Sequence, residues 1–186
     1  MKNKTRCGWT KDDAIMIAYH DEEWGIPVHD DTKHFEFLVL DTFQAGLSWK
    51  TILHRREGFK KAFANFDVVK VSKFTDAKLQ KLMTDESIIR NRLKIYGTVK
   101  NAKAFIEIQN KFGSFDTFIW KFVNHQTIIN KHQSLKDIPA TSSQSDAMSK
   151  ELKKRGFTFV GSTICYAYMQ AAGLVNDHLK DCFRYR

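Results

Sequence analysis

Apolar residues in this chain recur at helical spacing again and again between short polar caps. The longest such run is Ile88, Ile89, Leu93, Ile95, Val99, Ala102 and Phe105, which keeps one face apolar toward Gly113. Phe35, Leu38, Val39 and Phe43 make a second stripe that closes near Gly46. Helix starts are equally marked. Thr10 ahead of Asp12 and Asp13 reads as an N-cap for a helix burying Ile15, Ala18 and Tyr19, and Ser48, Thr75 and Ser114 read as further caps. Helices are expected over 146–155, stopped by Gly156, and over 163–174. Only Phe157-Thr158-Phe159-Val160 looks strand-like, and it is too short to build a sheet. Nine glycines and two prolines in 186 residues are about half the usual share, which argues against a turn-rich sandwich or barrel. The fold class predicted is all-α, as a single compact domain over residues 1–186. Residues 124–145 form its longest irregular segment.

Such a chain does not need disulfides. At this length about 70% of the unfolded surface can be buried, and three scattered cysteines cannot form a secreted framework without leaving one over. No apolar run is long enough for a membrane span, and the basic start (Met1 to Arg6) leads into Cys7-Gly8-Trp9 rather than an apolar leader core. A soluble, cytoplasmic protein with no membrane partner is expected. Cys165, among apolar neighbours, reads as a buried small hydrophobe.

The net charge of +9 is unevenly placed. Residues 1–49 hold 5 Lys/Arg against 9 Asp/Glu, residues 50–103 hold 14 against 5, and residues 104–186 hold 11 against 7. A concentrated basic surface attracts a polyanion through counterion release. A merely solubilising lysine-rich face gives the same numbers, and charge alone does not choose nucleic acid over an anionic membrane. Within the basic third, a short helix, the turn Asp85-Glu86-Ser87 and Arg90, Arg92 and Lys94 have the logic of a hairpin that clamps phosphate at a helix N-terminus. An ordinary helix–turn–helix packing unit is the other reading.

Cys7, His20, His178 and Cys182 are the sharpest constellation. His178-x3-Cys182 is expected to put two ligands one turn apart on one helical face. Two Cys and two His would fill a tetrahedral zinc site with no open position, making it structural and tying the two ends of the chain together. Spacing alone leaves chance placement open.

Several blocks together resemble the 3-methyladenine DNA glycosylase I (Tag) family. They include Cys7-Gly8-Trp9, Ala18-Tyr19-His20-Asp21-x-Glu23-Trp24-Gly25, Gln44-Ala45-Gly46-Leu47-Ser48-Trp49, Phe122-Val123-Asn124-His125, Gly161-x-Thr163-Ile164-Cys165-Tyr166 and Gly173-Leu174-Val175-Asn176-Asp177-His178. They run from about residue 7 to 182. The resemblance implies a helix–hairpin–helix DNA glycosylase with its hairpin element at about 76–105. It also implies one structural zinc per chain held by Cys7, His20, His178 and Cys182. The implied partner is double-stranded DNA carrying alkylated adenine, and the implied state is monomeric. The implied reaction is hydrolysis of the N-glycosidic bond of a cationic, flipped-out base. Trp9, Tyr19, Trp24 and Trp49 match its aromatic positions and Gln44 its polar one. Asp41 stands where the family usually has glutamate, and Met16 where a tyrosine often lines the pocket. Leu47 is the candidate wedge for the gap left by the base, and Ser87, Arg90, Arg92 and Lys94 are the candidate DNA contacts. The rival readings are a zinc-held module that binds damaged DNA without turnover, and a zinc hydrolase of small molecules, which four protein ligands disfavour.

Overall fold

A computed structural model describes residues 4–185; Met1 to Asn3, half of the expected basic start, lie outside the described residues. Ten α-helices dominate: α1 (Ala14–Glu22), α2 (Asp31–Gln44), α3 (Trp49–Leu53), α4 (Arg56–Ala62), α5 (Val68–Ser72), α6 (Asp76–Leu82), α7 (Arg92–Phe112), α8 (Phe115–Ile119), α9 (Ser143–Lys154) and α10 (Ser162–Ala171). No described helix is long and apolar enough to cross a membrane. Ser48, Thr75 and Ser114 cap α3, α6 and α8 as their sequence suggests, each accepting from a backbone N–H three residues on.

Helix α2 is the centre of the fold, with every residue from His34 to Phe43 except Glu36 buried. It packs against α7, α8 and α10. Phe35 meets Phe105 edge-on, and Phe105 stacks on Phe115 at 4.0 Å. Asp31, in the first turn of α2, accepts from the backbone N–H of Phe115 and Asp116 and so caps α8 across the core.

Several sequence expectations are corrected. Asp13, not Thr10, caps α1, because the Thr10 hydroxyl donates instead to Cys7 O. Ile15 faces solvent, and Met16, Tyr19 and His20 are the buried face. The long helix begins at Arg92 under an Asn91 cap, so residues 85–91 are all hairpin and Leu93 is exposed. Phe157–Val160 is not a strand. Its backbone is satisfied by side chains, with Asn101 of α7 bonding both Thr158 N and Thr158 O and Ser149 donating to Val160 O. Phe159 takes a left-handed φ of 57°. The two strands are elsewhere: β1 (Ile128–Ile129) and β2 (Val175–Asn176) pair in parallel, Ile128 opposite Val175. That pairing draws the otherwise irregular segment 124–145 onto the chain's last residues.

Lys94 also departs from its expected role. Its ammonium is buried and donates to Phe43 O at 2.9 Å and Ala45 O at 2.6 Å, the last carbonyls of α2. A cation there satisfies orphan acceptors and the helix dipole together, so Lys94 anchors α7 to α2 and is unavailable to a phosphate. Lys94→Met should therefore cost about 1–3 kcal/mol, a melting temperature lower by roughly 3–10 °C. The salt dependence of DNA binding should stay unchanged. A variant that melts like wild type but binds DNA with one phosphate contact fewer would reverse this assignment.

Candidate functional site

Two clusters share the aromatic N-terminal third. The first is the metal group. Cys7 comes from the loop before α1, His20 from the last turn of α1, and His178 and Cys182 from the segment after β2. That segment is not helical, which corrects the expected one-turn spacing; the two side chains are brought together by a turn in which Cys182 N donates to Leu179 O. All four residues are buried, and their ligand atoms lie within 4.8 Å of one another.

The donor chemistry fits a tetrahedral metal. His178 Nε2 faces Trp24 O at 2.9 Å. A carbonyl only accepts, so Nε2 carries the proton and the Nδ1 lone pair turns to the centre. His20 Nδ1 meets Asp21 at 2.8 Å, and Arg6 holds the Asp21 carboxyl down to about 2, so this imidazole donates outward and presents Nε2 inward. Sulfur-to-nitrogen distances across the cluster are 3.4, 3.5 and 3.7 Å. Bonds of about 2.0 Å to nitrogen and about 2.3 Å to sulfur around a tetrahedron demand about 3.5 Å. Backbone N–H groups of Leu179 and Arg184 point at the two sulfurs. Burial pushes the Cys7 thiol up to about 12 and the His178 imidazole down to about 4. A bound cation would favour the thiolate and neutral imidazole forms of this set.

The second cluster is a cavity of about 270 Å³. Trp9, Met16, Tyr19, Trp24, Asp41, Gln44, Trp49, Ile138, Ala167 and Gln170 line it. All six residues assigned from sequence to base recognition (Trp9, Tyr19, Trp24, Asp41, Gln44 and Trp49) therefore converge. Trp9 packs edge-on to Trp24 at 5.1 Å, and Tyr19 lies 5.2 Å from Trp49 between ring centres. Six buried side-chain polar atoms among the described residues lack a partner. Four of them belong to this cavity: Trp9 Nε1, Asp41 Oδ2, Gln44 Oε1 and Trp49 Nε1. Unpaired buried polar atoms are uncommon and costly, so their concentration marks a place shaped for a polar ligand. Burial, with no cation beside it, pushes the Asp41 carboxyl well above the usual carboxylate range. Aromatic faces around a carboxylate favour a flat, cationic occupant.

Ile138, Ala167 and Gln170 were missed. The first comes from the irregular segment, and α10 reads in sequence simply as a buried helix. Leu47 is exposed on the turn between α2 and α3, flanked in the chain by the lining residues Gln44 and Trp49. Ser87 and Arg90 are exposed on the hairpin between α6 and α7, and Arg92 is exposed at the first position of α7. Ser87 is not a free donor, because its N–H and its hydroxyl both go to Asp85 Oδ1. The hairpin packs closely on α4, where a Cβ on Gly58 would lie 2.3 Å from Ser87 O.

The chain as a whole is similar to proteins already known. A family model described as methyladenine glycosylase matches residues 9–185. DNA-3-methyladenine glycosylase 1 of Escherichia coli (strain K12) is 48% identical over 180 residues, covering 97% of this chain and 96% of that protein. A crystal structure of 3-methyladenine DNA glycosylase I superimposes with a TM-score of 0.95 at 44% identity, over 98% of this chain and 100% of that one. The 3-methyladenine DNA glycosylase I of Staphylococcus aureus, solved to explain 3-methyladenine recognition, gives a TM-score of 0.94 at 34% identity, over 97% of this chain and 96% of that one.

Elemental analysis of the purified protein should return one metal atom per chain, and Cys182→Ala should lose it and melt several degrees lower. Metal-free protein with an unaltered melting temperature would remove the cluster's role.

Proposed function

This chain belongs to the methyladenine glycosylase family, and on that premise we propose that its cavity receives an alkylated adenine turned out of DNA and that the protein hydrolyses the base's N-glycosidic bond. One observation carries the reading: a buried, unpartnered carboxylate oxygen, Asp41 Oδ2, inside an aromatic cavity. An adenine alkylated at N3 is cationic. Its charge supplies what Asp41 lacks, its exocyclic amino group can donate to Oδ2, and the tryptophan and tyrosine faces hold its ring. In the reaction the C1′–N bond breaks and its electron pair leaves on the base, neutralising it. A water oxygen joins C1′ and loses its proton to solvent. Since the leaving group starts positive, little acid catalysis is required, and rate comes from selecting and holding the base.

The rest of the molecule serves the same task. Arg90 and Arg92, exposed on a helix–hairpin–helix element, grip the backbone of double-stranded DNA, while Leu47, exposed on the turn between α2 and α3, fills the gap in the stack. Arg90 also reaches Glu86 at 3.4 Å, an exposed pair weak enough for phosphate to displace. Zinc is the metal assigned to Cys7, His20, His178 and Cys182, from the two-sulfur, two-nitrogen donor set. It would supply no reaction step, only the joining of the chain's two ends. The working unit is a monomer in the cytoplasm.

Release of free 3-methyladenine from methylated DNA is the direct test, and DNA binding without release would reduce the protein to a binding module. Asp41→Asn removes a charge-assisted hydrogen bond, of order 1.5–3 kcal/mol, and should slow single-turnover excision about 10- to 150-fold with DNA affinity intact. Asp41→Glu should be tolerated. Because only the ionised carboxyl pairs with a cation, affinity for the cationic base should rise with pH, from the usual carboxylate range up through the raised Asp41 value, with a proton released on binding. The Asn variant should show no such slope. Arg90→Ala and Arg92→Ala should each weaken binding alike across sequences and lower the salt slope by about one contact; unchanged slopes in both would move the DNA interface elsewhere.

A further inference from the structure

One polar group of the cavity is oriented from behind. Gln170 lines the cavity from α10 and its Nε2 donates to Asp177 Oδ2 at 2.7 Å. Asp177 is wholly buried beside the cavity wall. Tyr166 donates its hydroxyl to the same Oδ2 at 2.8 Å, while Asn130 Nδ2 and His132 Nε2 lie 2.7 and 3.1 Å from Oδ1. With four partners converging on it, the carboxylate accepts at both oxygens and has nothing to donate. The end of the Gln170 amide that meets it must therefore be the NH2. Amide orientation is ordinarily ambiguous; here a carboxylate dictates it. The carbonyl Oε1 is the polar atom that Gln170 has left for the cavity. Gln44 differs, since its buried Oε1 has no partner and nothing comparable fixes its amide. The α10 segment containing Gln170 is itself held, by Gly25 N donating to Gln170 O at 2.9 Å.

We propose that Gln170, locked by Asp177, is a specificity-determining residue that presents an obligate acceptor to the exocyclic amino group of the bound base and so selects 6-amino purines over 6-oxo purines. The proposal rests on the glycosylase reading above and names what that reading leaves open, the means of telling adenine from guanine adducts. An amino group offers two hydrogens, enough for Asp41 and Gln170 together. A carbonyl oxygen in its place would face acceptors only, leaving buried polar atoms unpaired, and a site built this way rejects the wrong analogue far more strongly than shape alone. A freely rotating glutamine would flip and accommodate either base. Asp177 removes that freedom, which gives a purpose to a buried carboxylate that otherwise takes no part in base binding.

The test is a ratio. Single-turnover release of 3-methyladenine and of 3-methylguanine is measured from DNA carrying each, with wild type and with Gln170→Met, which keeps the length and loses the acceptor. Release of 3-methyladenine should fall about tenfold and that of 3-methylguanine by less than about twofold, so the preference narrows by about five- to tenfold. A general loosening of the cavity would slow both alike. An unchanged ratio in a folded variant overturns the proposal. Should Gln170→Met fail to fold, wild type decides the matter. Release of 3-methylhypoxanthine, where a carbonyl replaces the amino group, should be more than tenfold slower than that of 3-methyladenine, and equal rates overturn the proposal. No release of 3-methyladenine by wild type overturns the glycosylase reading itself, and the proposal with it.

Discussion

The closure of the chain's two ends onto one four-donor cluster is the constraint on which the site depends. Cys7 is followed two residues later by Trp9, His20 is preceded by Tyr19, and His178 binds Trp24 O while its ring packs 4.7 Å from the Trp24 indole. Trp9 touches His20 edge-on at 5.3 Å. Three of the four aromatic walls are thus adjacent to a ligand or in contact with one. Gly25 keeps this close, since a Cβ there would come within 3.2 Å of the His178 ring and its φ of 73° belongs to glycine. The aromatic walls are set by contact with this four-residue cluster as much as by hydrophobic packing.

Against those walls the fold sets a second, independent support. Helix α2 carries Asp41 and Gln44, and its C-terminal carbonyls are held by Lys94 from α7. Asp13 ties α1 to α3, capping the former while meeting Lys50 and His54 at 2.8 Å each. Arg56 bridges Glu23 and Glu36, joining the end of α1 to α2 and α4. The acid is held by one set of contacts and the aromatic rings by another, so an unpartnered buried carboxylate persists only because several rigid elements over-determine it.

Much of this was legible in the sequence, and the exceptions have physical reasons. Apolar periodicity and caps located eight of the ten helices, because burial of one face is what makes a helix stable here; α4 and α5, seven and five residues long, are too short to show a period. Five of the six cavity residues and three of the four Cys/His cluster residues fall inside the blocks; Asp41 was placed by its position before Gln44 and Cys182 by its spacing from His178. Lys94 was misread because composition reports a charge but not its direction; the same basic stripe holds exposed Arg90 and Arg92 and a buried helix clamp. Phe157–Val160 has strand composition, yet Asn101 and Ser149 take its hydrogen bonds. The real strands are two residues each and leave no periodic trace. Gln170 was invisible because its meaning lies in Asp177, seven residues away and facing it across a loop.

The distance in sequence between the two halves of the metal cluster has a consequence for biosynthesis. Trp9, Tyr19 and Trp24 leave the ribosome early, but His178, packed against Trp24, and Cys182 follow more than about 150 residues later. With synthesis at about 5–20 residues per second, the aromatic segment waits on the order of ten seconds without its partners. A chain broken off before Cys182 would carry the cavity-lining residues without the complete cluster that packs against the Trp9 and Trp24 rings. The assembled cavity would then belong only to chains extended through Cys182.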